Sequence, residues 1–382
     1  MSRVLLVSNG HGEHAVAARI AAELQQAEPQ IVCDHFALVG GFSGSGTMHE
    51  VGPRAVMPSG GLVAMGNVVN LARDVRAGLL RLTFAQLRWL RSVRGVYPTA
   101  VAVGDSFALW MTLRAAARAT IFVGTAKSVH VAPYGPMEER VLRQAGAVFV
   151  RDTATAALLQ RHGIAATAAN VIADLHPVLE VQPVFAVQLA LFPGSRETAY
   201  DDAVFLCGLV EQLARTDSNA GALLSIAPNL RTQRFVETLR SSGFCVEERS
   251  DPLHPFSIVE HGREIVRATR EQIGALLAGT QVVLGQAGTA NEAAAAAGIP
   301  VVAFAAPRER RTQWYRRRQL ALLGDAMVLV ERSAAAGAAA AAALVRDPRR
   351  RAAMAHSGRL RMRAGSVRDI AAAVVSLYRE TA

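Results

Sequence analysis

The sequence predicts an α/β protein of two doubly wound, mainly parallel-sheet domains facing across a cleft. Three observations carry this. Short apolar runs alternate with helical stretches along most of the 382 residues, the pattern of parallel sheets with crossover helices. Residues 282–304, VVLGQAGTANEAAAAAGIPVVAF, read as a complete β-turn-α-β unit. The segment 174–188, DLHPVLEVQPVFAVQ, has two prolines and weak periodicity, so it reads as an interdomain linker after which the series starts again.

In the first half the strand candidates are Val4–Val7, Ile31–Leu38, Ala100–Val103, Thr120–Val123 and Ala147–Val150. Ala15–Gln25 and Ala154–His162 read as helices, the second stopped by Gly163. After the linker, Leu189–Phe192 is a strand, Pro193–Arg196 a turn and 200–215 a helix. Leu223–Ala227 and Phe244–Glu247 follow as strands around a helix at Arg231–Ser241, and 271–278 look helical. Ser333–Leu344 and 366–382 are the last helical stretches. These assignments give domains over residues 1–178 and 184–365.

The unit at 282–304 has the clearest chemistry. An apolar strand, Val282–Leu284, enters a turn of small residues that includes Gly288 and Thr289. A helix then carries Asn291 and Glu292 and stops at Gly298-Ile299-Pro300. The unpaired N–H groups and dipole at such a helix N-terminus attract phosphate, and small side chains let a ligand approach the backbone. A carboxylate repels phosphate, so Glu292 is expected to accept from neutral hydroxyls such as those of a ribose. Phosphate followed by sugar hydroxyls reads as a nucleotide.

Three further turns follow strands. In Leu191–Arg196, Gly194 and Ser195 can present N–H groups and Arg196 a guanidinium for a diphosphate; a plain turn with one solvated arginine is the alternative. Ser8–His14, SNGHGEH, has Gly10 and Gly12 for a tight turn, with His11 and Glu13 at the sheet's carboxyl edge; an ordinary strand-to-helix loop with Glu13 near the cap explains it equally. Asp105, in Val103–Phe107, is either a general base in the cleft or the N-cap of a helix from about Ala108.

Composition sets the outer bounds. The chain is 51% hydrophobic and 19% charged, with net charge +10 from forty arginines and one lysine, Lys127, against 31 acidic residues. An anionic membrane surface, an anionic substrate and nucleic acid all fit that excess. No zinc-finger or RNP-type pattern is present, so nucleic acid is not expected as a partner. Residues 62–94 alternate apolar positions with six arginines, as in either a membrane-surface helix or a core-packed helix with a solvated arginine face. Arg308–Arg318, RERRTQWYRRR, is a second basic cluster, within which Gln313 is the candidate for the cleft. No apolar run reaches the ~18 residues of a membrane span. The opening MSRVLLVSNGHGE reads as a core strand rather than a signal peptide. Three dispersed cysteines suggest a reducing cytoplasm. The ten histidines show no pair with ligand spacing, and no metal dependence is expected.

Taken in order, SNGHGE, VGDSF, LFPGSR and GQAGTANEAAAAAGIPVVAF resemble lipid-A-disaccharide synthase and its relatives, in particular the lipid-A-disaccharide synthase-related proteins. The resemblance spans nearly the whole chain. It implies the B-type glycosyltransferase fold (two Rossmann-like domains) and a nucleotide-sugar donor, usually UDP-linked, held by the second domain. Gly194, Ser195, Arg196, Gly288 and Thr289 would then lie near the diphosphate, Glu292 would match the ribose-binding glutamate, and Gln313 a donor-side position. Asp105 falls in an aspartate-containing segment that matches only in part. Gly10, Gly12 and Glu13 would face the acceptor, with His11 and Asp105 as catalytic candidates. The helix at 366–382 would return to the first domain.

The resulting expectation is inverting transfer of a hexosyl unit, of N-acetylglucosamine type, from a UDP-sugar to a lipid-linked or amphipathic acceptor. No cofactor or metal is called for, because Arg196 and the helix N-terminus can stabilise the leaving diphosphate. The location would be cytoplasmic, with the basic helix bringing the enzyme to the inner face of the plasma membrane. A UDP-N-acetylglucosamine 2-epimerase and a non-catalytic nucleotide-sugar-binding protein are the rival readings.

Overall fold

The computed structural model describes residues 2–40, 46–55, 75–305, 310–362 and 366–381. The chain forms two compact α/β units. One comprises residues 1–175 with 364–382, the other residues 176–363.

The first unit is built on a seven-stranded parallel sheet. Its strands are β1 (Ser2–Ser8), β2 (Ile31–Ala37), β3 (His49–Glu50), β4 (Thr99–Gly104), β5 (Ala119–Gly124), β6 (Ala147–Val150) and β7 (Ala166–Ala168). Their order is β3-β2-β1-β4-β5-β6-β7, so the sheet grows outward in two directions from β1 and β4. The described helices are α1 (His11–Ala27), α2 (Leu79–Ser92), α3 (Ser106–Thr112), α4 (Pro136–Leu142), α5 (Thr153–Arg161) and α6 (Val171–Leu175). On one face Val4, Leu6, Cys33, Val101 and Val103 pack with α1; on the other Leu5, Val7, Phe36 and Ala100 pack with α2 and α3. Strands buried on both faces read as continuous apolar runs, which is why β1, β4 and β5 are plain in the sequence.

The second unit carries an eight-stranded sheet. Its strands are β8 (Val187–Phe192), β9 (Ala220–Ser225), β10 (Val246–Glu248), β11 (Phe256–Glu260), β12 (Arg263–Thr269), β13 (Thr280–Gly285), β14 (Val301–Ala305) and β15 (Met327–Glu331), in the order β10-β11-β12-β9-β8-β13-β14-β15. The helices are α7 (Ala199–Thr216), α8 (Thr232–Ser241), α9 (Ile273–Leu277), α10 (Thr289–Ala297), α11 (Arg310–Leu323), α12 (Ala334–Arg346) and α13 (Pro348–Met362). The final helix, α14 (Val367–Thr381), belongs to the first unit, where Val367, Ile370, Ala371 and Val374 enter the same core as α1. Arg368 pairs with Glu23 of α1, and the Val367 N–H donates to Asp174 at 2.7 Å.

Several elements differ from the sequence reading. The second sheet is mainly parallel, as expected, with β10, β11 and β12 pairing antiparallel at one edge. The hairpin β11–β12 was not expected. Its charged positions mask the apolar alternation, but His261 and Gly262 both take positive φ (50° and 74°), as a two-residue hairpin turn requires. The strand expected at Leu223–Ala227 begins three residues earlier, at Ala220. Small residues start it because Phe185 lies against the sheet: a Cβ on Gly221 would stand 2.2 Å from the Phe185 ring. Neither β15 nor α13 was assigned from sequence.

Residues 62–74 of the basic segment lie outside the described residues. Its described part is α2, preceded by a turn at Gly78, whose φ is 96°. Leu82, Gln86 and Leu90 are buried, and Gln86 donates to the Leu38 carbonyl at 2.8 Å. Leu80 and Phe84 are 58% and 71% exposed beside the exposed Arg81, Arg88 and Arg91. No described helix is long and apolar enough to cross a membrane.

Candidate nucleotide-sugar site

In the second unit β8 and β13 are neighbours, with Leu191 opposite Leu284 and Phe192 opposite Gly285. The two turns singled out in the sequence therefore leave adjacent strands at the same carboxyl edge, where ligands of doubly wound sheets bind. The Gln286 N–H donates to the Phe192 carbonyl at 2.8 Å and joins them. Gly194, Ser195 and Arg196 come from one turn; Gly288, Thr289 and Glu292 from the other. Gly194 takes φ of 110°, a conformation side chains rarely adopt. Ser195, Arg196 and Thr289 are exposed, and Gly288 and Glu292 half-buried.

The turn before α10 is held from below by two side chains of α11. Arg316, buried, donates to the Gln286 carbonyl and, at 3.2 Å, to Gln319 Oε1. Gln319 Nε2 donates to the Ala287 and Gly288 carbonyls at 3.0 and 3.1 Å. Three consecutive carbonyls are thus held by one pair of side chains. Asn291, fully buried, donates to Gln319 Oε1 at 3.2 Å and to the Gly285 carbonyl at 3.3 Å. A Cβ on Gly285 would stand 1.9 Å from Asn291 Oδ1, so only glycine lets Asn291 fold back beneath the turn. No side chain caps α10, leaving its first-turn N–H groups to a ligand or water.

Burial lowers the Arg316 pKa, opposed by the nearby Asp202 carboxylate, itself paired with Arg332. Arg316 was missed in the sequence because it lay in an arginine run read as mostly solvated, and Gln319 because it follows that run directly. Their three-residue spacing, which puts both on one helix face, was the available signal. Gln313 lies three residues before Arg316 on that helix and is half-buried. Residues 308–309 of the same basic cluster lie outside the described residues.

In the first unit, a second group gathers where β1, β4 and β5 end. Asp105 caps α3: its Oδ1 accepts from the Ala108 N–H at 3.0 Å, the structural alternative raised by the sequence. Asn9 Nδ2 lies 3.5 Å from both Asp105 oxygens. Thr125 Oγ1 donates to Glu13 Oε1 at 3.4 Å. Burial raises the Glu13 pKa above the usual carboxylate range, and the Asp105 charge adds to the shift. A buried carboxyl with a raised pKa is a candidate for proton exchange. Gly10 is the N-cap residue of α1, Gly12 is exposed in its first turn, and His11 is its first residue, with a side chain outside the described residues.

Beside this group stands Glu138, unassigned from sequence. It accepts from Lys127 at 2.5 Å, from the Gly135 N–H at 2.8 Å and from Ser106 at 2.9 Å. Burial would raise its pKa, but these hydrogen bonds outweigh that and lower it. The lone lysine is thereby tied to a carboxylate whose charged form these hydrogen bonds favour.

Solved structures share this architecture. The calicheamicin glycosyltransferase CalG4 superposes with a TM-score of 0.61 at 14% identity, covering 100% of this chain and 99% of that one. This is the B-type glycosyltransferase fold. Two further structures of this kind are S. aureus MnaA in complex with UDP and the UDP-GlcNAc 2-epimerase of Neisseria meningitidis bound to UDP-GlcNAc. MnaA has a TM-score of 0.59 at 10% identity, covering 100% of this chain and 98% of that one. The epimerase has a TM-score of 0.55 at 12% identity, covering 99% and 100%. At these identities the likeness extends to the fold. No protein-family model matches the chain, and no curated protein matches it.

Proposed function

We propose that the chain is an inverting glycosyltransferase. It would move a hexosyl unit, of N-acetylglucosamine type, from a UDP-sugar to a lipid-linked or amphipathic acceptor, in the manner of the lipid-A-disaccharide synthase-related proteins. The observation that carries this is the pairing of the Gly194–Arg196 and Gln286–Thr289 turns at one sheet edge, above carbonyls held by Arg316 and Gln319. An uncapped helix N-terminus beside a solvent-facing arginine suits a diphosphate. Glu292, in the first turn of that helix, accepts hydrogen bonds from the ribose hydroxyls. Neighbours of this fold that hold UDP or UDP-GlcNAc support a uridine donor.

In this reading Glu13 takes the proton from the acceptor hydroxyl while the oxygen attacks the anomeric carbon. The bond to the UDP oxygen breaks, and its charge is met by Arg196 and α10 without a metal on the diphosphate. Thr125 holds Glu13 by its hydrogen bond, and the Asp105 charge, with Asn9 beside it, keeps the Glu13 proton affinity up. The test is transfer from labelled UDP-sugars to lipid extracts. Glu292→Ala should raise the donor KM by about 10- to 100-fold, the loss of hydrogen bonds to a charged acceptor. Wild type that binds no nucleotide sugar, or an unaffected Glu292→Ala, would overturn the reading.

The Glu13–Asp105 pair also favours a second reading, a UDP-N-acetylglucosamine 2-epimerase, which needs carboxylates for proton exchange in the first unit. Release of the 2-epimer with no acceptor present selects it.

A cytoplasmic enzyme at the inner face of the plasma membrane is the matching location. The exposed Leu80 and Phe84 among arginines on α2 support it. Vesicles of anionic lipid should retain wild type and release the Leu80→Ser/Phe84→Ser variant at moderate salt; equal retention counts against membrane docking.

A further inference from the structure

The sequence motif Ser8–His14 ends in a histidine that the transfer reaction leaves unused. The fold carries it to a second histidine. The rings of His14, on α1, and His35, on β2, meet edge to face with centroids 4.8 Å apart. Glu50 lies opposite His35 in the β2–β3 register. Among the described residues, His14, His35 and Glu50 form the one group of three potential ligands, with donor atoms all within 4.8 Å of one another.

We propose that His14, His35 and Glu50 bind a divalent transition-metal ion of the zinc class. Two imidazoles and a carboxylate suit zinc-type ions, and so few oxygens do not suit calcium or magnesium. The spacing agrees. His35 Nδ1 and Glu50 Oε1 are 3.7 Å apart, too far for a hydrogen bond. Ligand atoms around one tetrahedral zinc, each bound at about 2.0–2.2 Å, stand roughly 3.3–3.6 Å apart. Small side-chain rotations bring all three into that range.

The other ring nitrogen is already committed. His35 Nε2 lies 2.8 Å from Ser8 Oγ, and both residues are fully buried. With Nε2–H donating to Ser8, the Nδ1 lone pair faces Glu50, as when an outer partner fixes the tautomer of a metal-bound histidine. Arg54 supplies the charge opposing Glu50 in this structure. Its side chain is 37% exposed and can swing into water when an ion takes the carboxylate. A bound ion would clamp the first turn of α1, which carries Glu13, to β2 and β3. The site does not depend on what the chain transfers.

The test is titration of the untagged full chain with Co²⁺, reading the visible absorption of tetrahedral cobalt and its displacement by Zn²⁺. One ion per chain should bind. His14→Ala and Glu50→Gln, each shown folded by circular dichroism, should lose the band. Ser8→Ala should weaken binding by about 10- to 100-fold. Arg54→Gln should tighten it by removing the competing cation. No tetrahedral band in wild type overturns the proposal, as does a band that survives both ligand variants or weakens in Arg54→Gln.

Discussion

At the scale of single residues, Glu13 shows how burial creates chemistry. Its carboxyl, raised by desolvation and by Asp105, ionises later than in the unfolded chain. The native state therefore holds the proton longer. Stability falls as pH rises from the ordinary carboxylate range through the raised native value, and the cost persists above it. Glu13→Gln removes that ionisation and should unfold at higher urea than wild type at neutral pH, while matching it in acid. The same variant should lose the acidic limb of the transfer pH profile and about 10²- to 10⁴-fold in kcat/KM. Asp105 was legible in the sequence as either a base or a cap, and the structure supplies the cap. The Glu13–Asp105 proximity was not legible, because 92 residues separate the two in the chain and only the β1–β4 pairing joins them.

At the scale of elements, the β13–α10 turn works because side chains outside it hold its carbonyls. The strand, the small-residue turn, the helix and its Gly298 stop were all readable, since each depends on local preference and apolar periodicity. The support from Arg316 and Gln319 was not, since a contact between α11 and a turn about 30 residues earlier leaves no local pattern. Gly285 links the two levels. Gly285→Ala would push against Asn291 and, through it, Gln319. It should cost about 1–3 kcal/mol of stability by urea titration and weaken donor binding by calorimetry. A neutral result would mean that Asn291 does not order the turn. The β11–β12 hairpin teaches the converse: its turn signal was local and present, but short strands with charged faces hid it.

At the scale of the whole molecule, the chain divides its length almost evenly between two cores, but one of them is assembled from both ends of the chain. The last helix, α14, is distant in sequence from the unit it completes. Val367, Ile370, Ala371 and Val374 are each at most 2% exposed, and burying a valine or isoleucine contributes about 1.5–3 kcal/mol. Their sum rivals the 5–15 kcal/mol of a typical domain. A chain ending at residue 363 should therefore lose amide-exchange protection in β1 and β4 and retain it in β8 and β13; unchanged protection in β1 would refute this. The sequence by itself determined the α/β class, the doubly buried strands and the phosphate-suited turns, because backbone preference and apolar periodicity are written within a few neighbouring residues. Only the tertiary structure decided which side chains meet: Glu13 with Thr125, Arg316 with the Gln286 carbonyl, His14 with His35. Those contacts arise from strand order and helix packing, which bring distant residues together by burying surface that no local stretch can bury alone.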